Sequence, residues 1–203
     1  MIDKDTIAQY LPCYLSEKSK SDLLKNLDDF PNDIDSRMYT TLLEDKEIIY
    51  QGDGLKDFPV IRLPDDKIRN SNVMVLSNTC DLSLENSHFT PKRMCYAPLI
   101  SLSKYISLLK HKLGKDETSI LNHIKDIKRQ YISNMYFLPK NSGIKEDSIV
   151  FLDTIVNHDN LVDGKLIPSR RLFTLSDYGF YLFVFKLSIH FTRLQEGVDR
   201  RIA

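Results

Sequence analysis

The sequence has few cysteines and no excess of charge of either sign, and each absence excludes a class of protein. Its three cysteines, Cys13, Cys80 and Cys95, stand far apart, so no zinc knuckle, redox C-x-x-C motif or disulfide framework is predicted. Lysine plus arginine equals aspartate plus glutamate at 28 each, which argues against a wide nonspecific nucleic-acid surface. No metal and no cofactor are predicted.

Long hydrophobic runs are missing as well. The longest run, residues 180–185, is followed by Lys186 and is far shorter than the ~20 residues that span a bilayer. Residues 1–5 lack a basic region followed by an apolar core, so no signal peptide is expected. Neither a glycine-rich phosphate loop nor a Ser-His-Asp order is found. These absences predict a cytoplasmic protein without membrane contact.

The most informative stretch is the apolar run at residues 73–76, which ends in a cluster of polar side chains. A buried strand that ends here would deliver the whole cluster to one edge of a sheet. The members of this polar cluster are Ser77, Asn78, Thr79, Cys80 and Asp81.

Three interpretations of the polar cluster stay open: a nucleophilic site, a structural turn, and a contact for a ligand or partner. In the first, Cys80 is a nucleophile with a depressed thiol pKa, and Asp81 orients a neighbouring base. Five histidines are candidates for that base: His88, His111, His123, His158 and His190. In the second, Asn78, Thr79 and Asp81 hydrogen-bond the backbone of a turn while Cys80 packs as a small apolar residue.

Periodicity predicts one domain of the α+β class, mainly β with helical additions. An N-terminal helical segment covers residues 1–36, a helical hairpin covers 101–132, and a C-terminal helix covers 173–203. Within the hairpin, Gly114 and an Asp116 cap precede apolar residues at helical spacing up to Tyr131. Residues 37–100 and 133–172 supply the strands, which are predicted at 48–50, 58–63, 73–76, 94–100, 135–138 and 148–156.

Three segments, in this order along the chain, resemble the MazF/PemK family of bacterial toxin ribonucleases. Arg69-Asn-Ser-Asn-Val-Met-Val-Leu-Ser77 is similar to the family's arginine placed shortly before an apolar strand. Met94-Cys-Tyr-Ala-Pro-Leu-Ile-Ser101 is similar to its next strand, which ends in proline, a variable residue and a functional threonine. Residues 142–159, followed by 164–166, resemble the later strand pair. The resemblance implies an SH3-like barrel over residues 37–100 and 133–172.

The same resemblance implies a role in a bacterial toxin–antitoxin or phage-defence system. In such a ribonuclease Arg69 would contact the scissile phosphate, and Ser101 or Asp81 would assist in proton transfer. The chain departs from the family at the threonine, because Ile100 stands in its place and Ser101 is one position further on. A one-residue offset in a strand turns a side chain to the opposite face.

The favoured hypothesis is therefore a binding or regulatory module without the family's ribonuclease activity. It would contact its partner through Arg69, Asn78, Thr79 and Asp81. That partner is an antitoxin-like protein, a defence-complex subunit or a second copy of the chain, and RNA is a further candidate. Two alternatives stay open: a metal-independent endoribonuclease that uses Arg69, and a Cys80-dependent hydrolase or transferase.

Two short basic pairs have an alternative interpretation of their own. Lys92-Arg93 and Arg170-Arg171 are predicted to be solvated, with a nucleic-acid groove as the alternative.

Overall fold

A computed structural model of the chain describes residues 34–83, 92–159 and 163–192, besides Ser21 and Lys25. Eight antiparallel strands in these ranges form one sheet: β1 Tyr39–Thr40, β2 Gly54–Arg62, β3 Asp65–Val75, β4 Arg93–Ser101, β5 Met135–Leu138, β6 Ser148–Phe151, β7 Val156–Asp159 and β8 Arg171–Leu175. The strand order is β1-β8-β2-β3-β4-β6-β5, and β7 also pairs with β4. The predicted α+β class is confirmed. In the described part of the chain no pairing between β1 and β5 closes the sheet into the expected barrel.

Five helices accompany the sheet in the described ranges: α1 Thr79–Leu82, α2 Leu102–Leu113, α3 Glu117–Lys128, α4 Ile167–Arg170 and α5 Asp177–Thr192. The predicted helical hairpin is formed by α2 and α3. Gly114 ends α2 with a φ of 56°, and the Asp116 carboxylate accepts the Ser119 N–H to begin α3. Ile127 is buried in the hairpin core. Tyr131 was expected on the same apolar face, but it lies beyond the end of α3 and is 49% exposed.

Strands β2 and β3 form a long hairpin whose outer part, residues 56–72, is here called the arm. Its base is anchored because Val73, Met74 and Val75 are fully buried and pair with β4. The sequence predicts β3 only at residues 73–76, since only that end carries an apolar run. The strand nevertheless extends back to Asp65 through its pairing with β2. Pro59 lies where β2 pairs with β3 alone, at the edge of the sheet, where a residue without an N–H is tolerated.

The prediction of a single strand at residues 148–156 is wrong. The segment contains two strands, β6 and the beginning of β7, and both pair with β4. β6 pairs with the end of β4 and β7 with its beginning. Continuing the Leu99–Val150 register would place Asp153 opposite Tyr96, where Val156 lies instead. The extra residues form a turn closed by the Thr154 N–H, which donates to the Phe151 carbonyl at 3.1 Å.

The C-terminal helix begins later than predicted. Residues 171–175 form β8, which lies between β1 and β2 in the sheet, and α5 begins at Asp177. Five residues are too few to distinguish a buried strand from the start of an apolar helix by pattern. Residues 48–50 do not form the predicted strand. They belong to a loop in which the Ile48 carbonyl accepts a hydrogen bond from the buried Arg171 side chain.

Helix α5 packs its apolar residues Tyr178, Leu182 and Phe183 onto the sheet. The helix backbone comes close to the Met38 backbone at Gly179, where a Cβ would lie 2.2 Å from the Met38 carbonyl oxygen. The predicted helical segment at 1–36 lies almost entirely outside the described residues, and so do most of the loop at 83–92 and the chain after residue 192.

Candidate functional site

The polar cluster follows β3 directly, as predicted, and its first members hold the backbone in place. The Ser77 hydroxyl accepts the N–H of Cys95 in the neighbouring strand at 2.8 Å. Asn78 is the N-cap of the short helix α1, and its side-chain oxygen accepts the Cys80 N–H at 2.9 Å. Short polar side chains at these positions accept backbone N–H groups where the strand ends and the helical turn begins, which is a structural role.

Thr79 joins the polar cluster to a turn that is distant in sequence. Its hydroxyl accepts the Gln51 N–H at 2.9 Å, and the Gln51 amide donates to the Leu76 carbonyl at 2.8 Å. The turn needs Gly52, which has a φ of 89°. Each of the first three side chains of the cluster thus binds a backbone N–H, as in the second interpretation above: Ser77, Asn78 and Thr79.

Cys80 and Asp81 are the exposed members of the first turn of α1. Two of the histidines considered as bases are engaged elsewhere. His123 lies 2.9 Å from the Tyr105 hydroxyl between α2 and α3, and His158 lies 2.6 Å from the Asp159 carbonyl oxygen on β7. Neither of these two histidines is therefore a base for Cys80, and His88 lies outside the described residues.

Arg69 lies in the arm, away from the polar cluster. Its side chain is 73% exposed, and its guanidinium lies 3.4 Å from the carboxylate of Asp65, four residues earlier in the same strand. Arg69 precedes Ser77 by eight positions, which is about 25 Å of extended chain. Arg69 is accessible, but it does not share a site with the cluster.

Ser101 ends β4 and begins α2, where its hydroxyl accepts the Lys104 N–H at 3.4 Å. Its oxygen also lies 3.3 Å from the Ser103 hydroxyl, which donates to Glu146 at 2.6 Å. This hydrogen-bonded chain of two hydroxyls and a carboxylate was not predicted, because Glu146 is distant in sequence and comes close only through the pairing of β4 with β6.

Neither Arg69 nor Ser101 lies at the polar cluster. The cluster contacts the beginning of β4 at Cys95, and Ser101 lies at its other end, about 20 Å along the strand. Arg69 and Ser101 both lie beyond the Val73–Pro98 pair, at the opposite end of the sheet. The predicted site residues therefore form two separate groups.

A buried polar network that was not predicted from the sequence joins the turn before β2 to β8. Asp53 is fully buried, and its carboxylate accepts bonds from the Tyr50 N–H at 2.9 Å, the Thr174 hydroxyl at 2.7 Å and the Arg171 guanidinium at 3.2 Å. The same guanidinium, 2% exposed, donates to the carbonyl groups of Leu43, Glu44, Lys46 and Ile48. Burial raises the pKa of Asp53, and the Arg171 charge opposes that rise. Here we call these groups the Asp53 network.

The basic pairs are thus not wholly solvated. Arg171 is buried in the Asp53 network, whereas the Arg170 guanidinium stacks 5.7 Å from the centre of the Phe58 ring. Arg93 forms an ion pair of 2.7 Å with Asp159 on β7. The signal that could have identified the network was the Gln51–Gly54 turn, whose aspartate had to be either exposed or paired.

Among the described residues no three side chains gather in a way that could hold a metal ion, and no helix is long and apolar enough to cross a membrane. A cavity of about 270 Å³ lies beside β1, and none of the predicted site residues lines it. Its polar lining includes Thr40, Glu44 and Asn141.

No family model matches the chain, and no curated protein matches it either.

Proposed function

We propose that this chain is a binding or regulatory component of a bacterial toxin–antitoxin or phage-defence system, built on a diverged MazF/PemK-like barrel and without ribonuclease activity. The order of the three resembling segments supports this assignment. They correspond to β3, β4 and the β6–β7 pair, and these strands are neighbours in the sheet.

The observation that carries the proposal is the separation of the residues a ribonuclease would need. Arg69 would have to meet a hydroxyl or carboxylate at the scissile phosphate, within hydrogen-bonding distance of the substrate. Asp81 lies at the other end of the sheet, and the Ser101 hydroxyl caps α2. The arm, in contrast, exposes Leu63 at 79% and Ile68 at 68%, and such side chains on a projecting ribbon suit contact with a protein.

One observation favours the endoribonuclease as a second candidate. The hydrogen-bonded chain from Ser101 through Ser103 places the Glu146 carboxylate near the same end of the sheet as Arg69. A carboxylate in such a chain could accept a proton from a 2′-hydroxyl. The Cys80-dependent hydrolase or transferase stays a prediction.

The test is expression of the wild type in a bacterium beside Arg69→Ala, Glu146→Gln, Cys80→Ala and Asp81→Ala, with growth and RNA integrity followed together. The proposal expects intact RNA in every strain and a partner that co-purifies with the wild type. RNA cleavage that Arg69→Ala and Glu146→Gln both abolish would establish the ribonuclease and overturn the proposal. An effect confined to Cys80→Ala would instead support the thiol enzyme.

A further inference from the structure

The outer edge of β3 in the arm is available to another extended chain. Within the described part of the chain, β4 pairs with β3 only from Val73 to Val75, and residues 65–72 pair with β2 alone. Residues 65–70 are all exposed. An exposed strand edge presents rows of N–H and C=O groups that can pair with a further strand.

The two edges of the arm differ in their ability to pair. The β2 edge carries Pro59, which has no N–H, and Asp57, which has a φ of 71°. Its register also shifts between Leu55 and Phe58 and again before Arg62. These features prevent regular pairing. Over the facing residues 69–71 the register of β3 is continuous.

The direction of the β3 backbone groups follows from Pro59. In an antiparallel ladder, hydrogen-bonded pairs alternate with pairs that are not hydrogen-bonded. Pro59 stands opposite Asn70 and cannot donate, so this pair is of the second kind. The N–H and C=O of Asn70 therefore point away from β2, toward the outer edge.

The side chains on the two faces of the arm define what could lie at that edge. Cross-strand partners share a face, and the pairs Val60–Arg69 and Arg62–Asp65 place three cations and one carboxylate on the same face: Arg62, Lys67, Arg69 and Asp65. The opposite face carries Ile61 and Ile68, which are 38% and 68% exposed. One face thus has a net positive charge, and the other exposes Ile61 and Ile68 beside the polar side chains of Asp66 and Asn70.

We propose that the outer edge of β3 binds an extended segment of a partner protein in which acidic and apolar residues alternate. The segment's carboxylates lie on the face of Lys67 and Arg69, and its apolar side chains cover Ile68. A second copy of the chain would bring the same cations onto the same face, where like charges opposite each other are unfavourable. This inference rests on the proposed binding function and gives it a surface.

The experiment uses the full chain and two synthetic peptides of equal length, one alternating Glu and Val and one alternating Lys and Val. Binding is measured by fluorescence anisotropy, and analytical ultracentrifugation reports the mass of the protein alone. We expect the Glu/Val peptide to bind at least about tenfold more tightly than the Lys/Val peptide. Equal binding, no binding or a dimer that Asn70→Pro dissociates would overturn the inference.

Two variants separate backbone pairing from charge. Asn70→Pro removes the outward N–H and should weaken Glu/Val binding about tenfold or more. The double variant Lys67→Glu with Arg69→Glu changes only exposed side chains and should reverse the preference toward the Lys/Val peptide. Lys115→Glu, a charge reversal in the exposed α2–α3 connection, is the matched control and should leave both affinities unchanged. An unchanged preference in the double variant contradicts the inference.

The two proposals fail in different ways. If neither peptide binds but cellular RNA stays intact and a partner co-purifies equally with wild type and Asn70→Pro, the edge inference fails alone. Arg69-dependent RNA cleavage would overturn the proposed function whatever the peptides do.

Discussion

Two Asp–Arg pairs in this protein have the same chemistry and opposite surroundings. The side chains of Asp53 and Arg171 are 0% and 2% exposed, and they form an ion pair with each other in the interior. Asp65 and Arg69 are 47% and 73% exposed in the arm. A buried charge must be paired because its desolvation is unfavourable, whereas an exposed pair adds little to stability. The first pair therefore fixes the fold, and the second leaves its charges available for recognition.

The largest expected effect is that of breaking the buried pair. Arg171→Leu leaves the Asp53 carboxylate without its counter-charge and four loop carbonyl groups without their donor. We expect the free energy of unfolding to fall by about 3 to 5 kcal/mol, measured by urea denaturation. Arg170→Leu, which loses only a stacking contact with Phe58, is the control. If both variants lose the same amount, the network does not have the structural role assigned to it.

Lys186 extends the comparison to a buried charge that has no carboxylate partner in the described contacts. It is 4% exposed and donates to the Gln130 carbonyl, and burial lowers its pKa from 10.5 to about 8. Between these two values the unfolded chain binds more protons at this residue than the native state, so stability rises with pH.

We expect the free energy of unfolding to increase by about 2 kcal/mol from about pH 7.5 to about pH 9.5 through this residue. Urea denaturation at the two pH values should show the increase in wild type and in Lys140→Met, a variant at an exposed position. Lys186→Met should lose it. A pH dependence that survives in Lys186→Met would show that another group titrates.

The polar cluster should show an intermediate effect. Asn78→Ala removes the cap of α1 and should lower the free energy of unfolding by about 1 kcal/mol. Asp81→Ala, in the same short helix but exposed, should change it by less than about 0.5 kcal/mol. Thermal denaturation of the two variants side by side measures the difference. A larger loss in Asp81→Ala would mean that the carboxylate has a structural partner.

The smallest effect is expected in the arm. Asp65→Ala removes the exposed ion pair with Arg69 and should change the free energy of unfolding by less than about 1 kcal/mol. Moderate salt should reduce even that change, because exposed charges are screened. A loss comparable to that of Arg171→Leu would remove the distinction between the two pairs.

Much of the architecture could be predicted from the chain. The buried run at residues 73–76, the strand at 94–100 and the caps of the helical hairpin at Gly114 and Asp116 all rest on local signals, namely apolar periodicity and capping chemistry. The arm could not be predicted, because residues 65–72 are polar and pair only through β2. β8 was missed because a short apolar run before a helix has no periodicity of its own.

The candidate site depended on distances that sequence order does not reveal. Alternation and turn chemistry act between near neighbours, so the sequence was enough to predict that a polar cluster follows a buried strand. Three outcomes depend on how the chain folds: Ser77 and Thr79 hold the backbone, Arg69 stands apart from them, and Arg171 is buried. Those outcomes follow from strand register, which brings residues more than a hundred positions apart into hydrogen-bonding distance.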